Sequence, residues 1–249
     1  MLVPWIASLC GWRCAYGATA IPALLVLVLV AVFVFPGPTA RSSDAASGTL
    51  GTVLTTRALW PFNLMVFFSY GGYFSFATFL PAFLVNVLGA SVPEAGLITG
   101  LVTAGTIVSW PLAGWLSDRR GRRKPFTVFS QAASALACVA FAFLVPVLGL
   151  TGAAAVALAT GLTIGGMILP FVMVVELFPP HLAATAAGVG NAACFIGGMV
   201  LPIVLGFLVD VTGGFVASFV LAAAVQTAAL GWALMLRETG PRAKRGGAA

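Results

Sequence analysis

The chain contains few charged residues. Asp, Glu, Lys and Arg make up 7% of its 249 residues, whereas a soluble domain carries about 25%. Hydrophobic residues make up 61%, and the mean hydropathy is +1.10. A soluble domain must cover its outside with polar side chains, and this chain has too few of them. The composition therefore excludes an ordinary water-soluble domain and predicts an outer surface that faces lipid.

The sequence also lacks the residues that several membrane-protein classes require. Its only lysines, Lys124 and Lys244, lie in polar segments, so a seven-helix receptor with a retinal-binding lysine is not expected. No H-E-x-x-H, G-x-S-x-G or phosphate-binding glycine loop occurs, which argues against an intramembrane enzyme. We expect no cofactor and no metal site. The basic residues lie in short loops and a tail, which indicates a topology signal rather than a nucleic-acid-binding surface.

Long apolar runs dominate the rest of the sequence. A helix that crosses a bilayer needs about 20 predominantly apolar residues, and seven runs meet that length. The sequence therefore predicts an all-α membrane protein with seven transmembrane helices. The runs lie at 14–35, 60–88, 94–117, 126–148, 152–175, 184–209 and 214–236.

The basic residues fall almost entirely on one side of these helices. Helices alternate in direction, so the segment between the first two runs, the loop between the third and fourth, and the tail share one side. That side holds every one of the 12 Lys and Arg residues except Arg13. Because positive loops remain in the cytoplasm, we expect a cytoplasmic C-terminus in a multi-pass protein of the cell membrane.

Polar segments divide the chain into four parts. We expect a single transmembrane helix over 1–36, a flexible cytoplasmic linker rich in Ser, Thr, Gly and Ala over 37–58, a six-helix unit over 59–237 and a cytoplasmic tail over 238–249.

The loop between the third and fourth runs carries the most specific motif. Residues 114–124 read Gly-Trp-Leu-Ser-Asp-Arg-Arg-Gly-Arg-Arg-Lys. The loop resembles the G-x-x-x-D-R-x-G-R-R/K signature of the major facilitator superfamily, which lies between the second and third helices of each six-helix half. The matching positions are Gly114, Asp118, Arg119, Gly121, Arg122 and Arg123.

Three shorter segments extend the resemblance along the chain. Residues 11–13 resemble the start of the family's sixth helix, residues 79–85 the outer end of its seventh, and residues 176–179 the loop between its tenth and eleventh. The chain thus resembles helices six to twelve of a twelve-helix transporter, which implies the C-terminal half plus one preceding helix. Seven spans and a cytoplasmic C-terminus put the N-terminus outside the cell. Such a start is unusual, so we expect a fragment, a truncated gene or a misassigned start.

The signature residues have physical roles that the resemblance assigns to gating. The carboxylate of Asp118 can accept hydrogen bonds from a neighbouring helix N-terminus. Gly114 permits close helix approach, and Gly121 permits a tight turn. The arginines supply forked donors for contacts that hold the inner side shut in one state. The alternative is that they only fix topology through anionic headgroups.

Glu176 belongs to the same gating set. Relatives often carry arginines just after Pro179, but this chain continues with Pro180 and His181. We therefore expect Glu176 to lack its usual basic partners from that loop.

By resemblance, the solute cavity lies between the two halves and is lined here by family helices seven, eight, ten and eleven. The polar residues inside those runs are the substrate candidates, although each could equally link helices or lie in an aromatic belt. They are Tyr70, Tyr73, Thr103, Thr106, Thr163 and Asn191. The second to seventh runs have no charged residue at mid-membrane, so a site for a coupling proton is expected in the missing half. The third run contains no arginine clamp for small inorganic anions, which weighs against a nitrate-like substrate.

These observations predict a secondary transporter that moves a small organic solute by alternating access, as a symporter, antiporter or uniporter. The expected partners are the solute, the lipid bilayer, a coupling proton and either the missing half or a second copy. The alternative is a non-transporting membrane fragment or scaffold.

The charge distribution gives a testable topology. In a background without native cysteines, Arg120→Cys should react with a membrane-impermeant maleimide in inverted vesicles and not in intact cells, because positive loops face the cytoplasm. Val92→Cys, in the loop on the opposite side, should show the reverse. Labelling of Arg120→Cys from outside the cell would overturn the topology.

Overall fold

The structure is a computed structural model that describes residues 11–33 and 50–242. The chain divides into two compact units, residues 1–47 and 48–249. The described part of the first unit is helix α1 (Trp12–Phe33). The first ten residues, part of the predicted linker and residues 243–249 of the predicted tail lie outside the described residues.

The second unit is helical throughout its described length. A short helix α2 (Leu50–Thr55) lies within the segment predicted as a flexible linker, and its Val53 is fully buried in the core. The longer elements follow in chain order. They are α3 (Leu59–Leu88), α4 (Val92–Arg120), α5 (Lys124–Val139), a π-helical turn (Ala140–Leu144), α6 (Val145–Thr163), a 3₁₀ segment (Ile164–Ile168), α7 (Leu169–Leu177), α8 (Pro180–Thr212) and α9 (Phe215–Met235).

Local sequence determines both ends of α4. The Ser91 hydroxyl accepts a hydrogen bond from the Glu94 backbone N–H, and the Glu94 carboxylate accepts from the Ser91 backbone, forming a capping box at the N-terminus. Gly121 ends the helix in the left-handed region with φ 65°. Glycine adopts that conformation without steric cost, and the chain can therefore turn directly into α5.

The 54-residue stretch from Lys124 to Leu177 contains two crossings rather than one. Gly149 interrupts α6 with φ 66° and ψ −160°, and the chain reverses there. Ser130 shows the reversal, because its hydroxyl donates to the Thr163 carbonyl at 2.8 Å and accepts from the Gly166 backbone N–H at 2.7 Å. We call residues 124–148 the first arm and residues 150–177 the second arm.

The seven predicted spans are therefore confirmed, with edges that differ by a few residues. By length and composition, six continuous helical stretches in the described chain could cross a membrane, and the stretch containing Gly149 supplies two of the seven crossings. Pro170 lies in the first turn of α7 and is preceded by the 3₁₀ segment. A proline ring crowds the carbonyl four residues earlier, which explains this local departure from α geometry.

Two buried clusters hold the six-helix unit together. One lies towards the loop at residues 89–91 and contains Phe76, Phe83, Phe141 and Phe219, with ring centroids 5.0–6.3 Å apart. Such aromatic contacts add about 0.5–1.5 kcal/mol each beyond area burial. The other cluster lies towards residues 117–124. We call this second end the signature end.

Close packing of α4 against the second arm relies on small residues. A Cβ atom on Gly161 would overlap the Val102 carbonyl oxygen, and one on Gly165 would overlap the Ser109 carbonyl oxygen. Two glycines spaced four residues apart on a helix predict a close helix contact, and the structure confirms this for Gly161-x-x-x-Gly165. The same prediction for Gly96-x-x-x-Gly100 is wrong within the described residues, because apart from the helix's own nearby backbone no described atom lies within 4 Å of a Cβ at either position.

Two identical substitutions test this difference. Gly161→Ala should lower the stability of the detergent-solubilised chain by about 1–3 kcal/mol, because the added methyl group overpacks a helix contact. Gly100→Ala should be neutral or stabilising by up to about 1 kcal/mol, since alanine is the better helix former. Thermal unfolding followed by tryptophan fluorescence measures both. Equal losses of stability would contradict the assigned contact.

Candidate functional site

A buried arginine organises the signature end. The Nε and Nη2 atoms of Arg123 donate to the two carboxylate oxygens of Glu176 at 2.8 and 2.7 Å, and Nη1 pairs with Asp118 at 2.9 Å. The Arg123 side chain is 9% exposed, that of Glu176 18%, and that of Asp118 63%. The two-point contact with Glu176 is therefore the shielded one, and the Asp118 contact is open to solvent.

Two hydroxyl groups complete the surroundings of this arginine. Arg123 also donates to the Ser117 hydroxyl at 3.2 Å, and the Thr239 hydroxyl donates to Glu176 at 2.9 Å. We call Ser117, Asp118, Arg123, Glu176 and Thr239 the Arg123 cluster. Hydrogen bonding with Glu176 raises the pKa of the Arg123 guanidinium above its usual value, while burial opposes the shift. The arginine therefore stays charged and links three segments of the chain.

The Arg123 cluster changes the predicted role of Glu176. Its partner is Arg123 from the signature loop, so Glu176 has a basic partner although the loop after Pro179 supplies none. The prediction that several signature arginines act as forked donors holds for one of them. Arg119 instead lies over the Trp115 ring at 5.3 Å, and Arg122 is exposed and forms no ion pair within the described residues.

Glu238 performs the role that was predicted for Asp118. Its carboxylate accepts from the backbone N–H groups of Arg123 and Lys124 at 2.7 and 3.1 Å, at the start of α5. It also accepts from the backbone of Thr239 and Gly240 at 3.1 and 3.0 Å. The first residues of the predicted tail thus pack against the signature loop. The sequence signal for this contact was an isolated acidic residue directly after the last span.

The two signature glycines differ in their surroundings. Gly121 adopts φ 65° and ends α4, as its predicted turn requires. Gly114 was expected to permit close helix approach, but apart from its own helix's nearby backbone no described atom lies within 4 Å of where its Cβ would be. Within the described residues, that expectation is wrong.

An open groove of about 870 Å³ lies between α3, the second arm and α8. Two of the predicted substrate candidates, Tyr70 and Asn191, line it, together with Phe74, Phe171 and Phe195. The Tyr70 hydroxyl donates to the Met167 carbonyl at 3.3 Å, whereas Asn191 is exposed on α8. The described lining is mostly aromatic and aliphatic and contains no charged side chain.

The structure does not bring the other four candidates into this groove. Tyr73 lies beside Thr106, whose hydroxyl donates to the Val102 carbonyl at 2.7 Å. Thr103 is exposed on α4, and the Thr163 hydroxyl donates to its own helix at 2.8 Å. Thr163 lines a different cavity, between α4 and the two arms.

A buried polar contact within the membrane span was not anticipated. Gln131 donates to the Ser69 hydroxyl at 2.8 Å, and Gln226 donates to the Ser69 carbonyl at 3.2 Å. All three residues are fully buried, and the side-chain carbonyl oxygens of both glutamines have no hydrogen-bond partner in the structure. Three helices, α3, α5 and α9, are thereby joined at one point. Their apolar surroundings give no periodic signal that would reveal such a contact.

Seven apolar crossings, an ion-paired loop at one end and a groove between three spanning segments define a multi-pass helical membrane protein. Residues 62–249 match the family model described as Major Facilitator Superfamily. The chain therefore belongs to that superfamily.

Two related transport proteins align with most of this chain. A probable nitrate/nitrite transporter NarK2 of Mycobacterium tuberculosis is 27% identical over 198 residues, which are 79% of this chain and 48% of that protein. A nitrite extrusion protein of Bacillus subtilis is 26% identical over 219 residues, 87% of this chain and 53% of that protein. The chain thus spans about half the length of these relatives.

Solved structures show the same fold. A POT family transporter crystallised with 5-aminolevulinic acid superimposes with a TM-score of 0.61 at 20% identity, over 72% of this chain and 38% of that chain. At this level of identity the similarity concerns the fold alone.

A double-mutant cycle tests which ion pair stabilises the signature end. We expect a coupling energy of about 2–3 kcal/mol between Arg123→Ala and Glu176→Ala, because removing either partner leaves a shielded charge unpaired. The cycle of Arg123→Ala with Asp118→Ala should give about 0–1 kcal/mol, since that carboxylate is exposed. Denaturation in detergent measures both. A larger coupling for Asp118 would reverse the assignment.

Proposed function

We propose that the six-helix unit is one half of a secondary transporter and forms one wall of a solute path that opens alternately to the two sides of the membrane. The second wall belongs to another six-helix unit, from the rest of a longer protein or from a second copy. The groove that contains Tyr70 and Asn191 carries this proposal, because it offers hydrogen-bonding side chains on an open face between spanning helices.

The gating role proposed for the signature end rests on the Arg123 cluster. Its contacts connect the end of α4, the start of α5, the end of the second arm and the segment after α9. Ionic contacts can exchange partners when two units rock against each other. We propose that this cluster is complete in one state and altered in the other. The full gating set is Gly114, Asp118, Arg119, Gly121, Arg122, Arg123 and Glu176.

The solute is small, and the names of two relatives make nitrate and nitrite the first candidates to test. The described lining of the groove contains no Lys or Arg. An anionic solute would therefore take its positive partner from the second unit, while this unit supplies aromatic rings and the Asn191 amide. The same neutral lining favours the alternative, a small organic solute.

No Asp or Glu lines the described groove, so we place any coupling proton in the second unit. We propose transport rather than catalysis, in the cell membrane with the C-terminus cytoplasmic.

Two alanine positions distinguish a solute path from a lipid-covered face. Ala187 lines the groove seven residues into α8, and Ala132 is exposed eight residues into α5. In proteoliposomes without native cysteines, Ala187→Cys should react at least about tenfold faster than Ala132→Cys with a charged, water-soluble thiol reagent, because such reagents react only where water penetrates.

Solutes added to the same assay identify the substrate class. Nitrate or nitrite should slow the labelling of Ala187→Cys if the path carries these anions, and a panel of neutral and zwitterionic organic solutes should do so if the alternative is right. Ala132→Cys should be insensitive to all of them. If neither cysteine reacts, lipid covers the groove, and the non-transporting scaffold replaces the proposal.

A further inference from the structure

A second cavity lies at the signature end, away from the groove. It has a volume of about 460 Å³ and lies between the start of α5 and the segment that follows α9. Its described lining contains three basic residues, one acidic residue and two apolar residues. They are Arg122, Lys124, Arg242, Glu238, Pro125 and Val128.

The single carboxylate in this cavity is already occupied. Glu238 accepts four backbone hydrogen bonds, at 2.7–3.1 Å. It forms no ion pair with the three basic side chains, and no other carboxylate of the described chain lies within 4.0 Å of them. Lys124 donates to the Leu234 carbonyl at 2.6 Å. The charges of Arg122 and Arg242 are therefore not neutralised by the described protein, and both residues are exposed.

The cavity is held in shape by the backbone. The Arg242 backbone N–H donates to the Gly121 carbonyl at 3.1 Å, and a Cβ on Gly240 would come within 2.5 Å of that same oxygen. This contact holds the segment after α9 against the signature loop, so that Arg122 and Arg242 line the same cavity. Pro125 and Val128 supply an apolar wall at the point where α5 begins its membrane crossing.

We propose that this cavity binds a phosphate group, and that its source is the headgroup of an anionic phospholipid. Guanidinium groups match phosphate oxygens in two-point hydrogen bonds, and basic pockets at the ends of transmembrane helices accept anionic headgroups. The apolar wall beside the cations suits the glycerol and first acyl carbons of a lipid. The cavity shares Arg122 with the proposed gating set, but none of the residues of the Arg123 cluster lines it. Its test measures lipid retention and not transport.

Native mass spectrometry of the full chain tests the site. Released from mixed micelles of dioleoyl phosphatidylglycerol and dioleoyl phosphatidylcholine, the chain should retain the anionic lipid preferentially. Arg122→Gln with Arg242→Gln should weaken that retention by about tenfold to thirtyfold, because each basic residue near an anionic lipid surface contributes a few-fold. The control variant, Arg57→Gln with Arg237→Gln, removes two exposed arginines outside the cavity. Its lipid retention should stay within about twofold of that of the unsubstituted chain.

A second arm of the experiment distinguishes the sources of phosphate. Millimolar inorganic phosphate should not displace the lipid if the apolar wall contributes to binding. Displacement by phosphate would keep the phosphate site and overturn its assignment to lipid. Equal loss of lipid in the cavity variant and the control variant would overturn the site itself. If the double variant is not monodisperse, Arg242→Gln alone, which leaves the backbone contact with Gly121 intact, should still weaken retention at least about threefold.

Discussion

The position of one charged side chain constrains the whole signature end. The Arg123 side chain is only 9% exposed, and an unpaired charge with so little water around it would cost several kcal/mol. The bidentate contact with Glu176 offsets that cost and requires the second arm to end beside the start of α5. Glu238 in turn caps α5, which brings the segment after α9 to the same place. Four segments are thus placed by one arginine and two carboxylates.

The bilayer explains why the helices could be read directly from the sequence. In a lipid environment each backbone polar group must be satisfied within the protein, which makes helices the only structure open to long apolar runs. The seven spans and the reversal at Gly149 follow from run length and punctuation. The close packing at Gly161 and Gly165 follows from spacing, yet the same spacing at Gly96 and Gly100 makes no described contact. The spacing of glycines identifies a helix face made of small residues, but it does not identify which segment packs against that face.

The site was only partly predictable, for a related reason. The signature motif indicated the loop that contains Arg123, and two of the six substrate candidates, Tyr70 and Asn191, line the same groove. Which carboxylate caps the start of α5 depends on where the helices end in space. The sequence indicated Asp118 for this role, whereas Glu238 performs it in the structure. Gln131 and Gln226 lie in apolar runs whose neighbours give no sign of a contact with Ser69. Contacts between distant segments require the packed unit.

The two ends of the unit are held by different kinds of interaction, and this difference bears on which end can move. Interlocked rings of Phe76, Phe83, Phe141 and Phe219 pack one end. Close-packed rings cannot slide without losing contacts. The signature end is held by hydrogen-bonded charges around Arg123, which can exchange one partner for another or for water. If the unit rocks as one half of a transporter, the aromatic end should move as a rigid body while partner exchange occurs at the signature end, with the exposed Asp118 contact yielding before the shielded Glu176 contact.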